Sequence, residues 1–350
     1  MSGVQLMVPY LRVNDLTVRF QTEDGVVRAV DGVSFVVDPG QTLGIVGESG
    51  SGKSVTALAI LGLHDPRHTV VTGEILVGDR NIVGLDEDHL REIRGRGIAM
   101  IFQDPLTALH PYYPIGRQVA EAYRAHHPKV SRADARLRVV EMLGRVGIPE
   151  PAKRFDQYPH EFSGGMRQRV MIAIALVNDP AVLIADEPTT ALDVTMRAQI
   201  LDLLVDLQRE FRSAVVFISH DFGVISQVAE QVLVLYAGKV VENGTVDQVL
   251  RHPRHPYTWG LLASVPTLYG PADVDLVPIG GDPPSLISLP AGCAFHPRCR
   301  FTDRTGGRCQ AEVPLLRPLS EREHLAACHL TEVERSIIHT EQLGAAGETR

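Results

Sequence analysis

Hydrophobic positions along this chain change period several times, and each change marks an element. LRVNDLTVRF, from Leu11 to Phe20, alternates apolar and polar residues by two, as a strand with one buried face does. VSFVV and TLGIV carry the pattern to Val46, with Asp24-Gly25 and Asp31-Gly32 reading as turns between short strands. The glycine-rich GESGSG interrupts it, and KSVTALAILGL follows with apolar residues three and four apart, so strand, loop and helix come in that order. GEILVGDRNIV and RGIAMIFQ return to strand. Between Asp104 and Glu161 the strand signal disappears: IGRQVAEAYRAHH and ADARLRVVEMLGRVG have helical spacing, and Ser131 with Asp134 supplies a capping box for the second.

A second half then reads as helix 166–177, buried strand AVLIAD, helix 195–211, strand AVVFISH, helix 222–229, and strands QVLVLYAG and KVVENG. Strands alternating with helices predict an α/β fold with a mainly parallel core sheet. Past about Arg251 the chain becomes rich in Pro, His and Gly and loses its period. With 350 residues, 44% of them hydrophobic, it is long enough for one large domain and an appendage or for two modest domains. No apolar run approaches the ~18 residues that span a bilayer. The N-terminus, MSGVQLMVPYLRVNDL, has neither a basic leader nor a cleavage site after an apolar stretch, so a cytoplasmic location is expected. A net charge of -8 gives no field to gather a phosphate backbone, and nucleic acid is not an expected partner.

The chemistry concentrates in a few places. Gly47-Glu48-Ser49-Gly50-Ser51-Gly52-Lys53-Ser54 fits the G-x-x-x-x-G-K-[ST] loop. Its glycines let successive backbone N–H groups turn toward a phosphate, Lys53 reaches the outer phosphates, and Ser54 can hold Mg²⁺. Downstream, the apolar strand 181–186 ends in Asp186, placed to bind that metal through water, and Glu187 follows it as the candidate to orient or deprotonate an attacking water.

With Phe162-Ser163-Gly164-Gly165-Met166-Arg167-Gln168-Arg169 added ahead of a helix, the chain resembles ATP-binding cassette (ABC) subunits, most closely those of bacterial oligopeptide and dipeptide importers, from about Leu11 to Cys328. The resemblance implies a phosphate-loop cassette over residues 1–250, with a RecA-like core, an antiparallel β subdomain and an α-helical subdomain at about 104–165, then a loop-rich, Cys-containing extension over 251–350. It implies an ATP-sandwich dimer in which Ser163, Gly164 and Gly165 of one cassette close on the γ-phosphate held by another. Phe162 and Met166 depart from the usual LSGGQ, leaving the phosphate-contacting residues in place. It also implies roles for Gln103 (Mg²⁺, water and the transmembrane partner), for His220 (γ-phosphate) and for Asp193 (the dimer seam). Phe20 is the candidate to stack on adenine.

The expected function is ATP hydrolysis that powers import of a short peptide. The expected partners are a second, related cassette, two transmembrane permease subunits and an extracytoplasmic peptide-binding protein. The chain would then sit peripherally on the cytoplasmic face of the plasma (inner) membrane. A soluble ABC ATPase without a channel, or an importer of nickel or another small solute, are the alternatives.

His252-Pro253-Arg254-His255-Pro256-Tyr257-Thr258 resembles a segment of the peptide-importer branch and reads as a stiff, irregular connector. The four cysteines, Cys293, Cys299, Cys309 and Cys328, are spaced too widely for a zinc ribbon, and in a reducing compartment they suggest metal more than disulfide. Four thiolates on a loop-rich segment can hold a [4Fe–4S] cluster, and the resemblance implies one. Zinc, with His296, His324 and His329 nearby, is the second possibility and free thiols the third.

Overall fold

The computed structural model describes residues 10–190, 192–264, 279–320 and 323–343. The first nine residues, part of the segment read for a leader, lie outside that set.

Among the described residues two sheets organise the fold. The smaller is antiparallel, ordered β2-β1-β4-β5, with β1 at Leu11–Thr22, β2 at Gly25–Val37, β4 at Thr69–Val77 and β5 at Arg80–Asn81. The larger has eight strands, ordered β11-β12-β10-β9-β3-β8-β7-β6. Its parallel part runs through β9 (Gln231–Tyr236), β3 (Thr42–Val46), β8 (Ala214–Ile218), β7 (Val182–Asp186) and β6 (Ile98–Ile101). Every residue of β3, β7, β8 and β6 is buried, as expected of parallel strands covered on both faces. Because β3, β8 and β7 are adjacent and parallel, the residues that follow each of them emerge side by side.

The first turn falls one residue earlier than expected, at Glu23-Asp24, with Gly25 already paired to Thr22 as the first residue of β2. Asp31-Gly32 makes no turn: β2 runs straight through it, with Gly32 at φ 79° opposite Asp15 at φ 49° where the β1–β2 register shifts. Glycine at positive φ here builds a bulge in a long strand, so the sequence signal for a turn was a signal for an irregularity in the ladder.

The helical block falls where its spacing placed it, with helices Ile115–His126 and Arg132–Arg145. Ser131 caps the second by accepting from Asp134 N at 3.1 Å. Their apolar faces, including Ile115, Val119, Val139 and Met142, share one core with the helix Gly164–Leu176 and with β7 and β8. Gly116 permits the contact, since a Cβ there would meet the Phe155 ring at 2.2 Å.

Residues after 251 are less irregular than expected. The HPRHPY segment is no mere connector: His255 caps and Pro256 opens a helix, Pro256–Ala263. Farther on, β12 (Leu325–Ala326) pairs antiparallel with β10 (Lys239–Thr245) and carries β11 (Arg317–Pro318) at the sheet's edge. Glu242 of β10, fully buried, takes Arg254 N at 2.6 Å, His255 N at 3.0 Å and His324 Nε2 at 2.8 Å. A buried carboxylate supplied with three donors ties the extension to the sheet.

Candidate active site

The phosphate loop leaves β3 and enters the helix Lys53–Ile60. Gly52 sits at φ 106°, and a Cβ on it would meet Ala29 O at 2.5 Å; one on Gly47 would meet Leu235 O at 2.3 Å. Only glycine fits at either place. Gly50, also at positive φ, faces open space, while Ser49 and Ser54 are exposed. Lys53 folds back into the loop, its Nζ donating to Gly47 O at 2.8 Å and Glu48 O at 3.0 Å. Burial lowers its pKa, against the pull of Glu187, Asp186 and Glu48. Ser51 Oγ is buried without a partner.

Asp186 ends β7 and is buried, bonded to Ser54, with Oδ1 left unpartnered. Burial is the main cause that raises its pKa; the Glu187 charge adds to it, and the Ser54 hydrogen bond and Lys53 oppose it. A lone, dehydrated carboxylate oxygen beside a serine hydroxyl suits a hard cation.

Glu187 turns the chain at φ 47°, its N–H donating to Ile218 O at 3.0 Å, and thereby leans toward the end of β8. Three side chains converge on its carboxylate. Gln103 Nε2 donates to Oε2 at 3.1 Å, Thr190 Oγ1 to the same oxygen at 2.9 Å, and His220 Nδ1 to Oε1 at 3.1 Å. Burial works to raise the Glu187 pKa, but the His220 and Thr190 hydrogen bonds, with the charges of His220 and Lys53, carry it below the ordinary value. At neutral pH it is an ionised acceptor.

Other expected site residues lie apart from this centre. Ser163 caps the helix Gly164–Leu176, accepting from Met166 N at 3.3 Å, and an added Cβ on Gly164 would meet nothing within 4 Å. A Cβ on Gly165 would meet Met196 Cε at 1.7 Å, so this helix start abuts the one that Asp193 caps through Met196 N at 2.9 Å. Among the described residues no hydrogen bond joins Ser163, Gly164 or Gly165 to the phosphate loop. Phe20 is half-buried in β1 and packs edge-on against His64, ring centroids 5.4 Å apart.

Cys293 and Cys309 are buried, Cys299 and Cys328 half-buried, and all four are free thiols. Backbone N–H groups of Phe295, Phe301 and Leu330, each two residues on, bond to Cys293, Cys299 and Cys328. Burial pushes the Cys293 thiol up to about 12 and Cys328 up to about 11. The three histidines considered for zinc are engaged elsewhere: His296 with Cys293 O, His324 with Glu242, His329 with Glu312 O. Among the described residues no three His, Cys, Asp or Glu side chains are grouped to hold one metal ion.

Sequence reasoning missed Thr190, Tyr257 and Arg298. Thr190 reaches Glu187 because the turn after β7 folds back; Tyr257 and Arg298 reach Glu48 across 209 and 250 positions, and no local spacing signals that.

Fold and site together define a phosphate-loop nucleotide-binding domain, with its acidic strand end beside the loop. A family model described as ABC transporter matches residues 30–190, and one described as the C-terminal region of oligopeptide/dipeptide transporters matches 241–305. The chain is 52% identical over 292 residues to an oligopeptide transport ATP-binding protein of Bacillus subtilis, covering 83% of this chain and 81% of that one. It is 50% identical over 291 residues to a dipeptide transport ATP-binding protein of Lactococcus lactis, covering 83% of each. A dimeric ATP-binding cassette solved in a post-hydrolysis state with ADP and phosphate superposes with a TM-score of 0.60 at 29% identity, covering 67% of this chain and 98% of that one. The chain belongs to the ABC transporter family of ATP-binding proteins.

Proposed function

We propose that this chain is the ATP-hydrolysing subunit of an ABC importer of di- and oligopeptides, peripheral on the cytoplasmic face of the membrane. The observation that carries the hydrolytic part is the convergence of Gln103, Thr190 and His220 on one ionised carboxylate, Glu187, beside the phosphate loop. The relatives' names, oligopeptide and dipeptide transport, support the peptide cargo. Such a subunit works with a second cassette, two permease subunits and an extracytoplasmic peptide-binding protein.

In this reading the loop of residues 47–54, through amides other than that of Glu48, holds the β- and γ-phosphates together with Lys53, and Phe20 stacks on adenine. Ser54, Asp186 and Gln103 hold Mg²⁺, which neutralises phosphate charge when bound. Glu187 orients the attacking water and accepts its proton, while His220 contacts the γ-phosphate. Ser163, Gly164 and Gly165 serve the partner's ATP, with room left beside Gly164 where a Cβ would stand, and Asp193 lies at the seam. The cassette comprises residues 1–250, with its helical subdomain at about 104–165, and the extension 251–350.

We also assign Cys293, Cys299, Cys309 and Cys328 to a [4Fe–4S] cluster. Their donor type fits: four thiols on a loop-rich segment, held by burial in the neutral form although backbone N–H bonds to three of them work against it. A bound cluster would cross-link the extension and supply one-electron chemistry.

The test is ATP turnover by the assembled transporter in vesicles loaded with peptide-binding protein. Turnover stimulated by peptide, and abolished by Lys53→Ala or by Ser163→Arg, is expected. Turnover indifferent to both substitutions would overturn the assignment.

A further inference from the structure

Glu48, the second residue of the phosphate loop, is held at each of its polar groups. Its carbonyl accepts from Lys53 Nζ, and its N–H donates to Tyr257 Oη at 2.7 Å. Its carboxylate receives the forked Arg298 guanidinium, with Nη1–Oε2 at 2.6 Å and Nη2–Oε1 at 3.0 Å. Both partners come from the extension. Tyr257 is fully buried in its helix; Arg298 immediately precedes Cys299, and its side chain is 5% exposed. The guanidinium is itself anchored, with Nε donating to Gly280 O at 3.0 Å and Nη1 to Tyr236 Oη at 3.4 Å.

Two physical effects follow. The first is preorganisation: with the Glu48 amide committed to Tyr257, the base of the loop is fixed before ligand arrives, and less order has to be imposed on binding. The second is charge. A bare carboxylate inside a phosphate-binding loop repels a polyphosphate, and a guanidinium in bidentate contact cancels it.

We infer that Arg298 is a positioning residue for ATP, through which the Cys-bearing segment sets the phosphate loop by way of Glu48. This rests on the loop being the ATP site, as proposed above.

The experiment uses the assembled transporter and MgATP. Arg298→Ala is expected to raise both the Kd and the KM for MgATP about tenfold, equivalent to about 1.4 kcal/mol, with kcat at saturation within about twofold, because Arg298 touches no reacting atom. Arg298→Lys keeps the charge without the fork and falls between. Adding Glu48→Gln to Arg298→Ala removes the uncovered charge and recovers most of the lost affinity, which loss of packing alone would not allow. An unchanged Kd in Arg298→Ala, or a double variant as weak as the single, overturns the inference. Should Arg298→Ala fail to assemble, Arg298→Lys with and without Glu48→Gln gives the same comparison. Unmodified transporter that binds no MgATP would refute the ATP site itself, a separate failure.

Discussion

His220 Nδ1 lies 3.1 Å from Glu187 Oε1, although 33 residues separate the two in sequence. The sheet explains it. Strands β7 and β8 are parallel neighbours in register, Asp186 opposite Ile218, so the residues just past each strand meet at one edge. Ligand sites of open α/β sheets lie at such carboxyl ends.

Replacing that carboxylate tests its chemistry. Glu187→Gln keeps the size and most of the hydrogen bonding but cannot take a proton. Hydrolysis by the assembled complex is expected to fall about 10²–10⁴-fold, with nucleotide affinity retained. Single-turnover phosphate release reads the first and equilibrium binding the second; a turnover rate equal to the parent's would remove Glu187 from the catalytic role.

Gly164 offers a second test. It is exposed, and among the described residues an added methyl would meet no atom outside its own helix start within 4 Å, so Gly164→Ala should fold with a stability at least equal to the parent's, Ala being favoured over Gly in a helix by about 0.5–1 kcal/mol. The same methyl would stand between the helix-start amides and a phosphate. ATPase activity of the assembled complex is expected to drop at least about tenfold, about 1.4 kcal/mol in barrier, while the melting temperature holds. Full activity would show that no phosphate approaches this helix start.

Much of this was legible in the sequence because it rests on local patterns. The strand–loop–helix order around Lys53, the buried strand ending at Asp186 and the Ser131 N-cap each need only a few neighbouring residues and are found at those positions, although Asp134 takes the Ser131 hydroxyl rather than its N–H, so the capping box is only half made. Asp31-Gly32 misled because a glycine at positive φ serves a turn and a bulge equally well. Arg298 was invisible for another reason: its partner Glu48 lies 250 positions away, and the contact exists only once the extension has packed on the sheet. The HPRHPY helix was hidden by its prolines, since Pro at the first helical position looks like Pro in a linker.

For the cysteines, the protein purified without oxygen is expected to be brown, with broad absorbance in the blue and ~4 iron atoms per chain. Cys309→Ser should lose the colour, since the assignment needs all four thiols. Colourless protein holding one zinc per chain would overturn the cluster.

His255 is buried, its Nδ1 accepting from Tyr257 N at 3.1 Å, and burial first, then the Arg335 charge, bring its pKa from 6.5 to about 3. In the unfolded chain imidazole titrates near ~6.5. Between those values acidification protonates the unfolded chain and not the folded one, so stability falls as pH drops from about 6.5 toward 3, by up to about 1.4 kcal/mol per pH unit. From pH 7 to 5 this single residue should cost about 2 kcal/mol. His255→Asn retains an acceptor for Tyr257 N and does not titrate. In urea unfolding at pH 7, 6 and 5, the parent should therefore lose about 2 kcal/mol more than the variant over that range. Parallel losses in the two proteins would mean that His255 takes its proton within the fold, and that Tyr257, which holds Glu48, is not protected from it.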